Sequence, residues 1–160
     1  MIRRAQASDI PQLAILYHAV WHETQAPFMP HAEIARRSLQ FFAARMRSLL
    51  SSTLVAEQNG EIAGFSAWQG PLLGQLFVAS QYRGTNIATD LLKTSEIEMA
   101  EAGVVVAELH CVVGNDRARR FYEHMGWRHG GTITEQVAGE RDQVNVPCWR
   151  MTKSVLGEPP

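Results

Sequence analysis

The stretch from Gln75 to Leu92, QLFVASQYRGTNIATDLL, predicts a strand, a turn and the start of a helix. The apolar run at 76–78 is typical of a buried strand, and Leu91 and Leu92 begin an apolar pattern with helical spacing. A helix that begins after such a turn directs unpaired backbone N–H groups outward, and its aligned peptide dipoles favour negative charge there. With the guanidinium of Arg83 beside the turn, the stretch predicts a site for a phosphate or pyrophosphate.

The composition is that of one globular domain, with 160 residues, 46% hydrophobic content and a net charge of −1. We predict a domain over residues 1–153 and a tail over 154–160. The near-neutral charge indicates neither a nucleic-acid nor an anionic membrane partner. No apolar run is long enough to span a membrane, and the N-terminus lacks the apolar segment of a signal peptide. The expected location is therefore the cytoplasm, as a monomer or homodimer.

Apolar periodicity divides the remaining chain into strands and helices. Helices are predicted at about 8–20, 31–50, 87–102 and 115–125, and further strands at 2–5, 53–56, 61–68, 104–113, 127–136 and 144–153. Asn59-Gly60 predicts a hairpin, and Asn115 predicts a helix cap. The order β-α-α-β-β-β-α-β-α-β-β predicts an α/β fold with one mixed sheet and helices on both faces.

A second motif lies between Asn115 and Trp127, NDRARRFYEHMGW. It resembles the signature Asn-x-x-Ala-x-x-Phe-Tyr-x-x-x-Gly-Phe of the GCN5-related N-acetyltransferase (GNAT) superfamily. Residues 83–88 resemble the acetyl-CoA loop of the same family, Arg/Gln-x-x-Gly-x-Gly/Ala. Asn86 departs from that pattern, since it stands at the middle glycine. Glycine there allows a left-handed backbone, which asparagine tolerates next best, so we expect the loop to keep its shape with weaker cofactor affinity.

The resemblance implies a mostly antiparallel sheet with a central splayed pair of parallel strands, those of Val78 and Cys111. It also implies acetyl-CoA as co-substrate and no metal. The pantetheine arm is expected to pair with the backbone of Phe77 and Val78, and the Val78 N–H to donate to the thioester oxygen. The other cofactor-binding residues implied are Arg83, Gly84, Thr85, Asn86, Ile87, Ala88 and Thr89 at the pyrophosphate, and Asn115 at the pantetheine arm.

The same resemblance implies that Tyr122 is the general acid, because a phenol can protonate or hydrogen-bond a departing thiolate. Spacing alone favours a core position for Tyr122, on one helical stripe with Ala118 and Phe121. Many relatives carry a glutamate base near the start of the central strand, but 71–74 has no carboxylate. His110 is the candidate base, with Glu108 two residues back on the same face.

The alternative for His110 is a structural, partly buried histidine, and His22 and Glu23 are other candidate bases. The loop after the first helix covers the acceptor in relatives, so Trp21, Glu23 and Phe28 are predicted to bind substrate. His18 and His22 have the spacing of a metal pair, but no third ligand is evident.

These features predict direct acetyl transfer to a primary amine, with a small molecule as the leading acceptor. A protein or peptide amine is the alternative enzyme function, and a non-catalytic acyl-CoA-binding module is the alternative of another class. Cys111 and Cys148 lack a Cys-x-x-Cys motif and are interpreted as buried hydrophobic residues. A route through an acylated Cys111 is therefore secondary.

Overall fold

A seven-stranded sheet with the order β1-β2-β3-β4-β5-β7-β6 forms the centre of the protein. The computed structural model describes residues 1–139 and 141–156. All neighbouring strands are antiparallel except β4 and β5. The strands are β1 (Ile2–Arg4), β2 (Thr53–Gln58), β3 (Glu61–Gln69), β4 (Leu72–Val78), β5 (Val106–Val112), β6 (Arg128–Ala138) and β7 (Gln143–Ser154).

Helices cover both faces of the sheet. They are α1 (Ile10–Thr24), α2 (His31–Arg36), α3 (Leu39–Leu49), α4 (Ile87–Glu101) and α5 (Asp116–His124). On one face, Leu13 of α1 and Phe42 of α3 pack with Phe65 of β3. On the other face, α4 and α5 pack against Leu109 and Trp127. The predicted mixed, mostly antiparallel sheet with a central parallel pair and helices on both faces is confirmed.

The segment 31–50 holds two helices, so the prediction of one continuous helix is wrong. α2 ends at Arg36, and α3 begins at Leu39. Ser38 separates them, and its side-chain oxygen accepts a hydrogen bond from the Phe41 N–H at 3.1 Å. The N–H groups in the first turn of a helix have no acceptor within that helix. A serine side chain at the N-cap accepts from one of them, and this favours the start of a new helix at Ser38.

A β-bulge on β4 changes the course of that strand. Ala67 pairs with Gln75, but Trp68 pairs with Leu73, so Gly74 is an extra residue opposite β3. A bulge of this kind bends its strand and ends regular pairing. It lies on β4 where that strand runs beside β5.

Pairing between β4 and β5 is accordingly limited to their first residues. Leu72 lies opposite Glu108, whose N–H donates to the Pro71 carbonyl oxygen at 2.8 Å. No further register pair joins the two strands in the described chain. The strands therefore splay, and a gap opens in the middle of the sheet.

Gly64 on β3 permits the close approach of β4 and α4. A Cβ atom at this position would lie 2.8 Å from the Phe77 carbonyl oxygen, 3.1 Å from Val78 Cγ2 and 3.2 Å from Leu91 Cδ1. The first distance is shorter than a Cβ contact allows, and the atom concerned belongs to the backbone. Any larger residue must therefore displace β4 beside the gap.

We expect Gly64→Ala to lower the free energy of unfolding by about 1–3 kcal/mol, because overpacking moves backbone atoms. Denaturant unfolding followed by circular dichroism measures this change. Gly74→Ala is the matched control, since a Cβ there meets no atom within 4 Å. Equal stability of Gly64→Ala and the unchanged protein would contradict the close packing at Gly64.

The C-terminal strand continues into the beginning of the predicted tail. β7 ends at Ser154, and the Val155 N–H donates to the Val105 carbonyl oxygen at 3.0 Å. Residues 157–160 of the tail lie outside the described residues. None of the described helices has the length and apolar character that crossing a membrane requires.

Candidate active site

A cavity of about 660 Å³ lies in the gap between β4 and β5 and opens to both faces of the sheet. Successive side chains of a strand point to opposite faces. Cys111 of β5 faces α5, where Tyr122 also lines the cavity. His110 of β5 faces the opposite side, where Trp21 of α1 lines the cavity. One cavity thus connects Tyr122 on one face of the sheet with His110 on the other.

The predicted phosphate loop lines one end of this cavity. Its lining residues are Arg83, Gly84, Thr85, Ala88 and Thr89. The first backbone hydrogen bond of α4 runs from the Asp90 N–H to the Asn86 carbonyl oxygen. The N–H groups of residues 87–89 therefore have no partner within the helix, although that of Ile87 donates to Thr85 Oγ1 at 3.4 Å. Unpaired N–H groups at a helix N-terminus are the arrangement that holds an anion.

Within this loop, the glycine-like conformation lies at Gly84 rather than at Asn86. Gly84 has φ +79°, whereas Asn86 has φ −85° and ψ 6°, which any residue can adopt. The left-handed conformation expected at Asn86 is therefore wrong. Asn86 therefore costs the loop no backbone strain, and the prediction of weaker cofactor affinity now depends only on how closely a phosphate can approach the Asn86 side chain. The Ile87 side chain is buried with Leu91 beneath the loop.

The two terminal nitrogens of the Arg83 guanidinium have different surroundings. Its Nη1 pairs with the Glu23 carboxylate, and the Arg83 hydrogen bond lowers the pKa of Glu23. Its Nη2 is buried and has no hydrogen-bond partner among the residues that the structure describes. A buried guanidinium nitrogen without a partner is costly unless a ligand supplies an acceptor. Arg83 and the α4 N-terminus therefore fit a pyrophosphate.

We expect Arg83→Gln to raise the dissociation constant of acetyl-CoA about 10- to 100-fold, because a hydrogen bond to a charged group is lost. Isothermal titration calorimetry of the purified protein measures this constant. Arg128→Gln, at an exposed arginine of β6, is the control and should bind normally. An unchanged constant in Arg83→Gln would remove Arg83 from the phosphate site.

The backbone of β4 presents hydrogen-bonding groups to the gap. The Ala79 N–H donates to the Ala63 carbonyl oxygen at 2.8 Å, and Phe77 lies opposite Phe65 on β3. Because N–H groups alternate along a strand, the peptide groups of Phe77 face β3 and the Val78 N–H faces the gap. The Phe77 side chain lines the cavity wall. Val78 and, two residues earlier, Leu76 are therefore the residues of β4 whose peptide groups face the gap, whereas those of Phe77 are directed to β3.

Tyr122 lies on α5 with its ring among aromatic residues. Its ring centroid is 5.3 Å from that of Phe121 and 6.1 Å from that of Trp127. Burial raises the pKa of the Tyr122 phenol, and the nearby Cys111 adds to that rise. The predicted cap of α5 is confirmed, since Asn115 Oδ1 accepts from the Ala118 N–H at 3.3 Å. Asn115 also lines the cavity.

The two cysteines are free and buried, as their sequence context predicts. Burial raises the pKa of the Cys111 thiol to about 11 and that of the Cys148 thiol to about 12. Both cysteines line the cavity. At neutral pH each is therefore a protonated thiol, the form that is a poor nucleophile.

His110 belongs to a charged network on the other face of the sheet. Its Nε2 lies 2.6 Å from Glu108 Oε2, and its Nδ1 lies 3.0 Å from Glu135 Oε1. Arg150 Nε donates to Glu108 Oε1 at 2.7 Å. The pKa of Glu108 is lowered, chiefly by its hydrogen bond with His110 and then by Arg150. The sequence identifies His110 and Glu108, but nothing local indicates Glu135, which lies 25 residues away.

The residues predicted to bind substrate occupy three different places. Trp21 lines the cavity, with the Arg37 guanidinium carbon 4.8 Å from its ring centroid. Glu23 pairs with Arg83 near the phosphate loop. Phe28 packs against Gly114, whose φ is +107° and where a Cβ would lie 2.5 Å from the Phe28 ring. Of the three, Trp21 alone is among the cavity-lining residues.

His18 and His22 stack with their ring centroids 4.2 Å apart, and His22 Nε2 lies 2.7 Å from the Arg37 carbonyl oxygen. Across the described part of the chain, no group of three His, Cys, Asp or Glu residues converges as a metal site would require. The stacking therefore accounts for the helical spacing of this pair.

Several cavity-lining residues carry no local sequence signal. These are Tyr17 of α1, Arg37, Arg45 of α3, Gln75 of β4 and Glu135 of β6. Tyr17 and Arg45 lie beside apolar residues of helical stripes, where spacing alone indicates core packing or a solvated face. They become candidate site residues only once α1, α3 and β4 are packed together.

Comparison with known proteins agrees with this geometry. The model of the acetyltransferase (GNAT) family matches residues 13–127. An aminoalkylphosphonate N-acetyltransferase from Salmonella typhimurium (strain LT2) is 26% identical over 145 residues, which cover 80% of this chain and 94% of that protein.

Solved structures with the same fold cover nearly the whole chain. A GCN5-related N-acetyltransferase structure from Rhodopseudomonas palustris has a TM-score of 0.77 and 24% identity, covering 96% of this chain and 94% of that one. The PaiA N-acetyltransferase from Thermoplasma acidophilum, in complex with coenzyme A, has a TM-score of 0.67 and 20% identity, covering 96% and 98%. The family model spans well over half of the sequence. The chain therefore belongs to the acetyltransferase (GNAT) family and is an N-acetyltransferase.

Proposed function

We propose that this protein transfers the acetyl group of acetyl-CoA directly to the primary amine of a small molecule. The observation that carries the proposal is the single cavity through the sheet, which joins Tyr122, the Val78 N–H and His110. An acetyl transfer needs a donor group for the leaving sulfur, a donor for the carbonyl oxygen and a base for the amine. Tyr122, Val78 and His110 all line the one cavity, which supports these three roles.

The cofactor half is assigned to the α4–α5 face. Acetyl-CoA supplies an activated thioester with a thiolate leaving group. Arg83 Nη2 and the N–H groups of residues 87–89 bind the pyrophosphate, and the backbone of Val78 binds the pantetheine arm. Asn115 lines the wall between these elements. Arg117 also lines the cavity and adds a second positive charge near Arg83.

Tyr122 donates its phenolic proton to the departing sulfur. A phenol with a raised pKa is a weak acid toward an ordinary thiolate, whose conjugate thiol has a pKa of about 8.5. The cavity, however, raises thiol pKa values as well, as the value of about 11 for Cys111 indicates. Burial thus raises the pKa of both the phenol and the departing thiol. The thiolate can therefore accept a strong hydrogen bond or a proton from the Tyr122 phenol.

His110 accepts the proton of the incoming amine at Nδ1, while its Nε2–H stays donated to Glu108 at 2.6 Å. For this step the Glu135 carboxylate, 3.0 Å from Nδ1, turns from the imidazole to the ammonium group. An alkylammonium group has a pKa near 10, so only about 0.1% of such an amine is neutral at pH 7. Glu135 and Glu108 flank the imidazole and attract the ammonium form to this end of the cavity. Proton transfer to His110 then frees the amine lone pair for attack on the carbonyl carbon.

As the C–S bond breaks, the attacking nitrogen loses a second proton, which passes through solvent to restore the Tyr122 phenol. His110 releases the first proton to solvent, so each turnover yields amide, CoA thiol and one proton.

Direct transfer is favoured over an acyl-enzyme at Cys111. Burial keeps the Cys111 thiol protonated, and its sulfur contacts the carbonyl oxygens of Val112 and Asn115 rather than a base. A nucleophilic cysteine needs a base or a positive neighbour that lowers its pKa. The small-molecule acceptor is supported by the name of the Salmonella relative, an aminoalkylphosphonate N-acetyltransferase.

The test is turnover by purified protein with acetyl-CoA and separate panels of small primary amines and of peptides with free amines. Thiol release is measured alongside N-acetylated product by mass spectrometry. We expect equimolar CoA and product with small amines. Acetyl-CoA binding without turnover would favour a non-catalytic acyl-CoA-binding module, and turnover confined to peptides would favour a peptide N-acetyltransferase.

A further inference from the structure

The acceptor half of the cavity contains positive charge that the acetyl transfer itself does not require. Arg37 and Arg45 both line the cavity on the face covered by α1 and α3. Both act on the Tyr17 phenol on this face, whereas the phosphate loop leads into α4, which packs on the other face of the sheet. Their ligand is therefore not the pyrophosphate that Arg83 fits.

The charge of Arg37 is already matched by protein. Its Nε donates to Glu33 Oε1 at 2.8 Å, and the Ala138 N–H donates to Glu33 Oε2 at 2.8 Å. Glu33 is 1% exposed, and its partners keep the pKa lowered although burial alone would raise it. Glu33 thus links Arg37 to β6, while the Arg37 charge also reaches the Tyr17 phenol of α1.

Arg45 has no such partner. Within residues 1–139 and 141–156, no carboxylate lies at ion-pair distance from its guanidinium. The Phe41 ring lies beside it, with its centroid 5.5 Å from the guanidinium carbon. A half-buried arginine that faces a cavity without a counterion is suited to an anionic ligand, which its planar donors can bind in pairs.

Other donors converge on the same place. The Tyr17 side chain lines the cavity together with Gln75 and both arginines, whose charges act on its phenol. Burial raises the pKa of Tyr17, and the Gln75 hydrogen bond and the charges of Arg45 and Arg37 oppose that rise. The phenol remains a neutral hydrogen-bond donor at pH 7. Phenol and guanidinium donors therefore lie together on this wall.

The opposite wall has the opposite charge. Glu135 and His110 line the β5–β6 side of the same cavity, and Glu108 supports the imidazole. We propose that the acceptor is a small zwitterion whose ammonium group lies at His110 and Glu135 and whose carboxylate or phosphonate binds Arg45, with Arg37 and Tyr17 beside it. This inference rests on the proposed function, since it names the class of amine that the same site acetylates.

The test compares three amines of similar size: n-propylamine, β-alanine and 2-aminoethylphosphonate. We expect kcat/KM to be at least 10-fold higher for one or both anionic amines than for n-propylamine. The anionic amine with the higher kcat/KM shows whether the site prefers a carboxylate or a phosphonate. Arg45→Gln should lower kcat/KM for the anionic amines about 10- to 100-fold and leave n-propylamine nearly unchanged. Arg47→Gln, at an exposed arginine of the same helix, should change none of them.

Arg45→Lys keeps the charge without the paired donors, so we expect a smaller loss than in Arg45→Gln. It also tests the inference if Arg45→Gln fails to fold. Equal rates with n-propylamine and the anionic amines, or an undiminished preference in either Arg45 variant, would overturn the anion site. Failure to acetylate any amine would instead count against the proposed function, so the two failures are distinguishable.

Discussion

Replacing Tyr122 with phenylalanine is expected to lower kcat about 10²- to 10⁴-fold, the usual contribution of a positioned general acid. The phenylalanine ring keeps the contacts with Phe121 and Trp127, so the fold and the affinity for acetyl-CoA should change little. The loss has one physical cause, since the departing thiolate no longer receives a hydrogen bond or proton in a buried site.

Single-turnover release of CoA measures this effect, and calorimetry measures acetyl-CoA binding in the same preparation. Tyr82→Phe tests whether the loss is specific to Tyr122, because Tyr82 lines the phosphate-loop end of the cavity but donates its hydroxyl to Glu61 Oε2 at 3.1 Å. Full activity of Tyr122→Phe would remove Tyr122 from the chemistry. Lost binding with an early unfolding transition would assign it to the core.

Replacing His110 with alanine is expected to lower kcat/KM for the amine about 10²- to 10⁴-fold at pH 7, because no group then removes the ammonium proton. The defect should shrink as the pH rises toward 10, since the neutral fraction of an alkylamine increases about 10-fold per unit over that range. A merely structural role for His110 would give a defect that does not depend on pH in this way.

The pH dependence of kcat/KM, measured from pH 6 to 10, tests the role of His110. His124→Ala, at an exposed histidine at the end of α5, should behave like the unchanged protein throughout. A defect in His110→Ala that stays constant with pH would leave Glu135 or water as the proton acceptor. A normal rate at pH 7 would exclude His110 as the base.

The segments that sequence predicts well are those in which local signals agree. The apolar run of β4, the glycine-containing turn and the start of α4 all lie between Gln75 and Leu92, and their chemistry is local. Asn115 caps α5 through a contact only three residues away. Helix dipoles, caps and turns depend on residues that are close in the sequence, so they can be predicted from a single sequence.

The acceptor half of the site depends instead on long-range packing. His110 contacts Glu135 only because β5 and β6 both pair with β7. Arg45 faces the cavity only because α3 packs against α1 on one face of the sheet. Side chains that meet through tertiary structure leave no periodic pattern, so their shared function cannot be read along the chain.

Local rules also failed where two of them competed. Apolar periodicity continued across 31–50, but the serine cap at Ser38 divided that segment into two helices. At Asn86, the departure from the family pattern suggested strain, whereas the positive φ lies at Gly84. In the first case the helix cap prevailed over apolar periodicity, and in the second the glycine already present at position 84 took the left-handed conformation.

The most direct test of the account is a crystal structure of this protein with bound CoA. We predict density for the pyrophosphate against Arg83 and the N-terminus of α4, and for the pantetheine arm along Val78 in the gap between β4 and β5. The sulfur should lie within hydrogen-bond distance of the Tyr122 hydroxyl. CoA bound elsewhere, or a sulfur remote from Tyr122, would contradict the central claim that this gap is the acetyl-transfer site.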